Sequence, residues 1–394
     1  MSRIVFFGIP AHGHTNPTLE VVRELVSRGH QVWYYSYEML RAKIEDAGAV
    51  FVGCDEENAE QNLTPKDSAR VGKDLAFSTK ILVDTTLALD SKVCADMQRL
   101  KPDCIVADSM AIWGKAVAMK LGIPFVSSTT TFAFNRHSAA IMKRSLGETL
   151  RMILSMPRIG KDIQRLQQHG YPIKNVLELI GSDESAPTVV YTSPEFQPCA
   201  DTFPAWYAFV GPSVRPAQSS IEKIREKLVY ISMGTVNNDL MPLYRQCITA
   251  LADAPYQVIL SVGSLVDVQA FGKLPEHISV FAHVDQIAVL EKADVFVSHC
   301  GMNSVSESLY FGVPLVMLPQ TSEQGGVAER VRQLGAGVKL KKTDAKSILC
   351  AIERMLKDTA CQSSARRISQ SFRNCPGAKG AADTIEQICS GAAR

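Results

Sequence analysis

"FVSHCGMNSVSESLYFGVPLV", residues 296–316, joins an apolar run to a helical period through a short turn. The run ends at Ser298, and the spacing places the start of the next helix at Asn303 or Ser304. Residues 299–303 are then the turn that leaves a strand and enters a helix. A helix start has backbone N–H groups without intrahelical partners, at the positive end of the helix dipole, and so suits a phosphate. Gly301 permits close backbone approach, Ser304 adds a hydroxyl, and His299 can donate a ring N–H. Simpler readings cover parts of the string: Ser304 and Glu307 fit a Ser-x-x-Glu capping box, and His299 fits a hydrogen-bonded residue at a strand end. Neither covers the whole. A metal reading of His299–Cys300 lacks the second pair of ligands that structural zinc takes at short spacing. The ten cysteines are scattered singly with no Cys-x-x-Cys, which favours reduced thiols, with Cys300 a small filler.

Working outward from this turn, the same strand-to-helix rhythm repeats. In the first half, "RIVFFGI" (3–9), "QVWYYS" (31–36), "PDCIVAD" (102–108) and "IPFVSS" (123–128) read as strands. In the second, "KLVYISMG" (227–234), "YQVILSVG" (256–263), "HISVFAHV" (277–284), "DVFVSHC" (294–300), "VPLVMLPQ" (313–320) and "GVKLKK" (337–342) do so. Short β-branched runs alternating with helical periods are the signature of βαβ units on parallel sheets. A length of 394 residues exceeds what one core organises, and "FVGPSVRPAQSS" (209–220) has the composition of a linker. The expected division is a first domain over 1–208, a linker over 209–225, a second domain over 226–375, and a helical tail over 376–394. Two doubly wound α/β domains hold ligands at the carboxyl ends of their strands, across a cleft.

The turn after the first strand, "IPAHGHTNP" (9–17), carries two histidines. Asn16 can cap the helix that follows, Pro17 suits its first turn, Leu19, Val22, Leu25 and Val26 form its apolar stripe, and Gly29 ends it. That leaves His12 and His14 in the loop ahead of the helix. Asp108 ends another strand on the same rim, where the simplest reading is a helix N-cap.

"HCGMNSVSE" resembles the nucleotide-sugar signature of family 1 glycosyltransferases, in the form, with Met302, common among macrolide-type bacterial members. The likeness runs from about Phe281 to Gln324, and the order of elements agrees along the whole chain. It implies the GT-B fold, with the first domain binding the acceptor, the second the nucleotide sugar and the 376–394 helix packing back toward the first, and an inverting transfer of a hexose from a UDP-sugar to a small-molecule hydroxyl. His299, Gly301, Asn303 and Ser304 would hold the diphosphate, with Thr235 of "SMGT" (232–235) as a further hydroxyl donor. Glu307 would bind the ribose. Glu323 and Gln324 would bind the sugar, with Gln324 pointing to glucose. Where the family has an aromatic residue, a small residue, Pro and Gln, this chain has His283, Val284, Asp285 and Gln286. His283 would stack on the base, and Asp285 would bring a negative charge beside the nucleotide. By the same resemblance His14 is the general base, oriented by Asp108, with His12 a bystander.

Composition narrows the partners. A net charge of +2, from 42 basic and 40 acidic residues, offers no electrostatic reason for nucleic acid or an acidic membrane as partner. No run of 18 apolar residues and no export signal is legible, so a cytoplasmic protein is expected. No Asp-x-Asp is present to hold a diphosphate-bound metal, so the expectation is no cofactor and a UDP-sugar co-substrate. Phe132, Phe134, Met142 and Met152 suggest an apolar acceptor such as a macrolide, flavonoid or lipid-like natural product. Two alternatives remain: a nucleotide-sugar epimerase on this fold, or a sugar-nucleotide-binding regulator without turnover. A dehydrogenase is disfavoured, since Gly-x-Gly-x-x-Gly follows neither leading strand.

Overall fold

The computed structural model describes residues 1–56, 74–138, 146–175, 178–179, 186–235 and 237–391, with only the backbone described over 146–153. The chain forms two compact units, Met1–Ser213 together with Pro376–Arg394, and Val214–Cys375.

Among the described residues the first unit contains seven parallel strands: β1 (Arg3–Phe7), β2 (Gln31–Ser36), β3 (Val50–Gly53), β4 (Cys104–Asp108), β5 (Phe125–Thr129), β6 (Thr188–Val190) and β7 (Tyr207–Phe209). Their order is β3-β2-β1-β4-β5-β6-β7. Parallel neighbours need crossovers, here supplied by α1 (His12–Ser27), α2 (Arg41–Asp46), α3 (Leu75–Leu100), α4 (Ile112–Leu121) and α5 (Leu146–Gln168). Two apolar layers cover the sheet. Val5, Phe7 and Ile105 face one of them, and Ile4, Phe6 and Val106 face the other. Both faces being buried explains why these strands read as continuous apolar runs. β6 and β7, three residues each, are too short to carry a pattern, and the sequence reading passed over them and β3.

The second unit repeats the plan with β8 (Leu228–Ser232), β9 (Gln257–Ser261), β10 (Ile278–Phe281), β11 (Val295–Ser298), β12 (Leu315–Met317) and β13 (Gly337–Lys339). Their order is β10-β9-β8-β11-β12-β13, again parallel. Its helices are α6 (Met241–Leu251), α7 (Gln286–Leu290), α8 (Met302–Tyr310), α9 (Ser322–Gln333), α10 (Ala345–Lys357) and α11 (Thr359–Arg373). In each unit the chain winds away from its first strand and then returns to that strand's other side. The sheet therefore has a topological switch point, between β1 and β4 in one unit and between β8 and β11 in the other.

Two boundaries differ from the sequence reading. First, α1 begins at His12, with Ala11 at its N-cap and Pro17 inside the helix, so Asn16 is not the cap. Proline removes only one N–H from the ladder, and so near a helix start the apolar stripe that follows outweighs it. Gly29 does end the helix, at φ 86° with its N–H on the Val26 carbonyl. Second, the stretch taken as linker from residue 209 begins inside the first unit, because β7 runs to Phe209 and Val210 is buried in its core. The last helix, α12 (Gly377–Cys389), belongs to the first unit: Ala381, Ala382 and Ile385 pack with Val22 and Leu25. Arg28 holds it through Asp383 and Glu386, at 2.6 and 2.7 Å. His30 accepts from Ser2 N through Nδ1 at 3.0 Å and therefore donates to Glu386 through Nε2 at 2.7 Å.

All ten cysteines are free thiols. No helix among the described residues is long and apolar enough to cross a membrane.

Candidate functional site

The residues singled out from sequence gather at the two switch points. In the first unit Phe7 pairs with Ala107, so the chain leaves β1 and β4 side by side. Asp108 is the last residue of β4, and His14 stands in the first turn of α1, not in a loop before the helix. His14 Nδ1 and Asp108 Oδ2 lie 2.9 Å apart. A carboxylate can only accept, so Nδ1 carries the proton and Nε2 keeps its lone pair. The His14 side chain is 20% exposed and that of Asp108 2%; the imidazole meets solvent and the carboxylate does not. Asp108 does not cap α4, whose N-cap is Ala111. Its Oδ1 instead accepts from Met110 N at 2.8 Å, so the buried carboxylate is hydrogen-bonded at both oxygens.

A third member was missed from sequence. The Thr130 hydroxyl lies 3.0 Å from His14 Nδ1 and 3.5 Å from Asp108 Oδ2. It follows β5, the neighbour of β4, and the strand order of a doubly wound sheet was the signal that could have pointed to it. His12 takes no part in this cluster: its Nδ1 sits 3.5 Å from Lys43 Nζ, and burial and then the lysine charge hold its pKa below the usual value. Phe132 packs on Phe196, ring centroids 5.5 Å apart, and Phe134 is half-buried. Met142 lies outside the described residues, and the side chain of Met152 is not described.

In the second unit Ser232 pairs with Ser298, so Met233 and His299 leave the sheet together. The His299 ring lies in a notch between two glycines. A Cβ on Gly234 would stand 2.6 Å from its Cε1 and Nε2, and one on Gly301 would stand 2.6 Å from Nε2. Gly234 also has φ +82°, which glycine alone adopts without strain. Burial pushes the His299 pKa down to about 4, against a smaller opposing effect of the Ser232 backbone. Its Nδ1 makes no hydrogen bond of normal geometry. His299 is thus a neutral ring at pH 7, a donor and filler rather than a cation. Asn238, also missed from sequence, is buried and donates to the Gly234 carbonyl at 3.1 Å, bracing the same turn. Cys300 is fully buried at φ +68°, its N–H on Ser298 Oγ at 3.1 Å, and burial pushes its thiol up to about 12. Such a thiol is inert.

The helix after this turn starts one or two residues earlier than expected, at Met302, with Gly301 at the N-cap and no side-chain cap. Ser304 therefore sits inside the first turn, and the Ser304–Glu307 capping box is not formed. Glu307 accepts from Gln286 Nε2 at 2.5 Å, and Gln286 also donates to Ser304 Oγ at 3.4 Å and accepts from Tyr230 OH at 3.2 Å. Burial raises the Glu307 pKa, with the Gln286 hydrogen bond opposing. Asn303 is half-buried in the uncapped first turn, while Thr235 and His283 are exposed and Val284 is half-buried. A capping box does occur, but at α9: Gln324 N donates to Thr321 Oγ1, and Gln324 Oε1 accepts from Thr321 N, both at 3.3 Å. Oε1 also accepts from Gln320 N at 2.8 Å, so the Gln324 side-chain oxygen is committed to the cap. Glu323 beside it is exposed.

One expectation is corrected outright. Asp285 does not place a bare charge beside a nucleotide, because it is paired with Arg215 at 2.5 Å. A groove of about 930 Å³ along β13, lined by Arg332, Lys339, Lys341 and Arg354 among others, shares no residue with the set described above. Among the described residues no group of three or more metal-ligating side chains is assembled.

The chain is similar to known proteins along its full length. Residues 245–388 match the family model of the erythromycin biosynthesis protein CIII-like C-terminal domain. An NDP-glycosyltransferase, YjiC, of Bacillus licheniformis is 32% identical, over 97% of this chain and 96% of its own. The demethyllactenocin mycarosyltransferase of Streptomyces fradiae is 30% identical, over 100% of this chain and 88% of its own. Among solved structures, the calicheamicin glycosyltransferase CalG4 superposes with a TM-score of 0.84 at 26% identity, covering 100% of both chains. The relatives named here are transferases, which lends the epimerase alternative no support.

Proposed function

The chain belongs to the macrolide-type family 1 glycosyltransferases, with the GT-B fold, and from that premise we propose that it transfers a hexose from a nucleoside diphosphate sugar to a hydroxyl of an apolar natural product, with inversion. The observation that carries the reading is the 2.9 Å contact of His14 with Asp108 at the carboxyl end of the first sheet. An acceptor hydroxyl is a poor nucleophile at neutral pH, and an imidazole, of ordinary pKa about 6.5, suits the removal of its proton. The hydroxyl proton passes to His14 Nε2 as the oxygen forms its bond to the anomeric carbon. The bond from that carbon to the diphosphate breaks, and the nucleoside diphosphate leaves with the electron pair. Asp108 stabilises the imidazolium as it forms, and Thr130 keeps the ring in register.

The second unit supplies groups suited to the leaving diphosphate. These are the uncapped first turn of α8 with Asn303 and Ser304, the neutral ring of His299, close backbone approach at Gly301, and the hydroxyl of Thr235. Glu307 accepts from the ribose hydroxyls, His283 stacks on the base beside Val284 and Gln286, and Glu323 with Gln324 reads the sugar. The Gln324 amide, with its oxygen committed to the cap, acts as a donor to sugar hydroxyls and favours glucose. With a helix start and a histidine meeting the diphosphate, the transfer proceeds without a metal ion. UDP is the first choice of nucleotide, although relatives are named for NDP as well as UDP sugars.

The test is turnover of UDP-glucose and dTDP-glucose against macrolides, flavonoids and lipid alcohols, with the product's anomeric configuration read by NMR. A β-glucoside formed equally well in EDTA is expected. Retention of configuration, or activity lost in EDTA and restored by Mn²⁺, would overturn the mechanism.

A further inference from the structure

Asp285 is the best-held carboxylate near the proposed donor site, yet the reaction makes no use of it. Its side chain is 9% exposed, and Oδ1 accepts from Arg215 Nη2 at 2.5 Å. Oδ2 accepts from Gln218 N at 2.6 Å and Ser219 N at 3.0 Å, with Ser219 Oγ at 3.5 Å. Burial alone would raise its pKa, but Arg215 and the two backbone N–H groups outweigh burial and hold it below the usual carboxylate range. The next residue in the chain is Gln286, whose side chain reaches Tyr230, Ser304 and Glu307.

α7 has only five residues and no side-chain cap. A helix of that length does not hold itself: Ile287, Ala288, Val289 and Leu290 are held by burial, while Gln286, half-buried at its start, also depends on the contacts of the residue before it. Those contacts are the ones Asp285 makes to residues 215–219. The charge of Arg215 acts in the same direction, and that of Asp285 against it. Burial raises the Glu307 pKa most; the Gln286 hydrogen bond and then the Arg215 charge lower it, and the Asp285 charge raises it. An Asp285 without Arg215 would therefore disfavour the ionised Glu307 that accepts hydroxyl hydrogens. We infer that Arg215 and Asp285 are positioning residues for nucleoside recognition, a latch that sets Gln286 and Glu307 against the ribose of the donor. The inference rests on the donor reading above.

A latch that merely stabilised the unit would loosen every part of the donor site alike. A positioning role predicts a selective loss, because pyrophosphate uses the His299 turn and the α8 start but not the ribose groups. The experiment is calorimetry of the full-length chain with UDP and with inorganic pyrophosphate, for Asp285→Asn, Arg215→Ala and the double variant. UDP affinity should fall about tenfold in each single variant and no further in the double, since both changes break one interaction. Pyrophosphate affinity, and kcat at saturating donor, should stay within twofold. Arg215→Lys, which keeps the charge, should recover part of the loss and serves if Asp285→Asn does not fold. UDP affinity unmoved by the variants, equal loss of UDP and pyrophosphate, or additive losses in the double variant would overturn the latch. Failure of the wild-type chain to bind either UDP or dTDP would overturn the donor reading, and the latch with it.

Discussion

His14 and His299 each stand at the switch point of a parallel sheet, yet their surroundings differ in one respect that decides their chemistry. Across from His14 the neighbouring strand ends in Asp108, 2.9 Å from Nδ1. Across from His299 the neighbouring strand leads into Gly234, against which the ring is packed with no carboxylate partner. The first histidine keeps access to water and has a counter-charge waiting for a proton. The second is buried, held neutral with a pKa near 4, and left with shape and an N–H to offer. The residue facing the ring across the switch point, more than the place of the ring in the fold, separates a proton acceptor from a neutral donor.

The most direct way to break this comparison is at His14. His14→Ala should lower kcat by roughly 10²- to 10⁴-fold, the usual worth of a general base, with UDP affinity within twofold. Steady-state turnover with an alkyl alcohol acceptor, which does not ionise by itself, is the measurement. Near-wild-type turnover would remove His14 from the mechanism.

The opposite character of His299 should appear in stability. With a folded pKa near 4 and an unfolded one near 6.5, the unfolded chain binds the proton first. Stability is therefore full above pH 6.5 and falls as the pH drops toward 4. At most about 2 kcal/mol should be lost between pH 7.5 and pH 5 from this one residue. Urea unfolding of wild type and His299→Gln at the two pH values isolates it; an unchanged pH dependence in the variant would mean that His299 is not held neutral by the fold.

Asp108→Asn sharpens the comparison, because it keeps the shape beside His14 and removes the counter-charge. It should cost about ten- to a hundredfold in kcat, less than loss of the base itself, and His12→Ala should cost less again. A loss in Asp108→Asn equal to that of His14→Ala would show that Asp108 does more than orient and stabilise the ring. The smallest effect belongs to Cys300, a buried thiol pushed up to about 12. Cys300→Ala should leave turnover within threefold, roughly 0.6 kcal/mol on the 1.36 kcal/mol-per-decade scale. Zinc bound by the purified protein and lost in this variant would overturn the filler role.

Much of the architecture was legible in the chain. Parallel strands buried on both faces are written as apolar runs, so β1, β4, β8, β9 and β11 read clearly, and the turns after them were legible as ligand-edge turns. The boundaries of α1 and α8 were not. Capping preferences are worth about 1 kcal/mol, too little to override where the apolar stripe meets the sheet. Thus Asn16 and Ser304, both good caps by residue type, lie inside helices that begin four residues before Asn16, at His12, and two residues before Ser304, at Met302. The capping box that does form, Thr321 with Gln324, was read only as part of a sugar-binding string.

By itself the sequence determined which residue types reach the strand ends, because alternation of apolar runs and helical periods sets where each strand stops. His14, Asp108, His299 and Gly301 stood out that way, while Glu307, inside α8, was singled out by the family resemblance. Tertiary structure alone decided what each of them faces. Thr130 joined His14 because β5 lies beside β4. Gly234 met His299 because β8 lies beside β11. Asp285 met Arg215, 70 residues away in the chain, and so became an anchor rather than a charge beside the nucleotide. Protonation and hydrogen bonding depend on neighbours within a few ångströms, and in a parallel sheet those neighbours come from strands separated in sequence by a whole crossover.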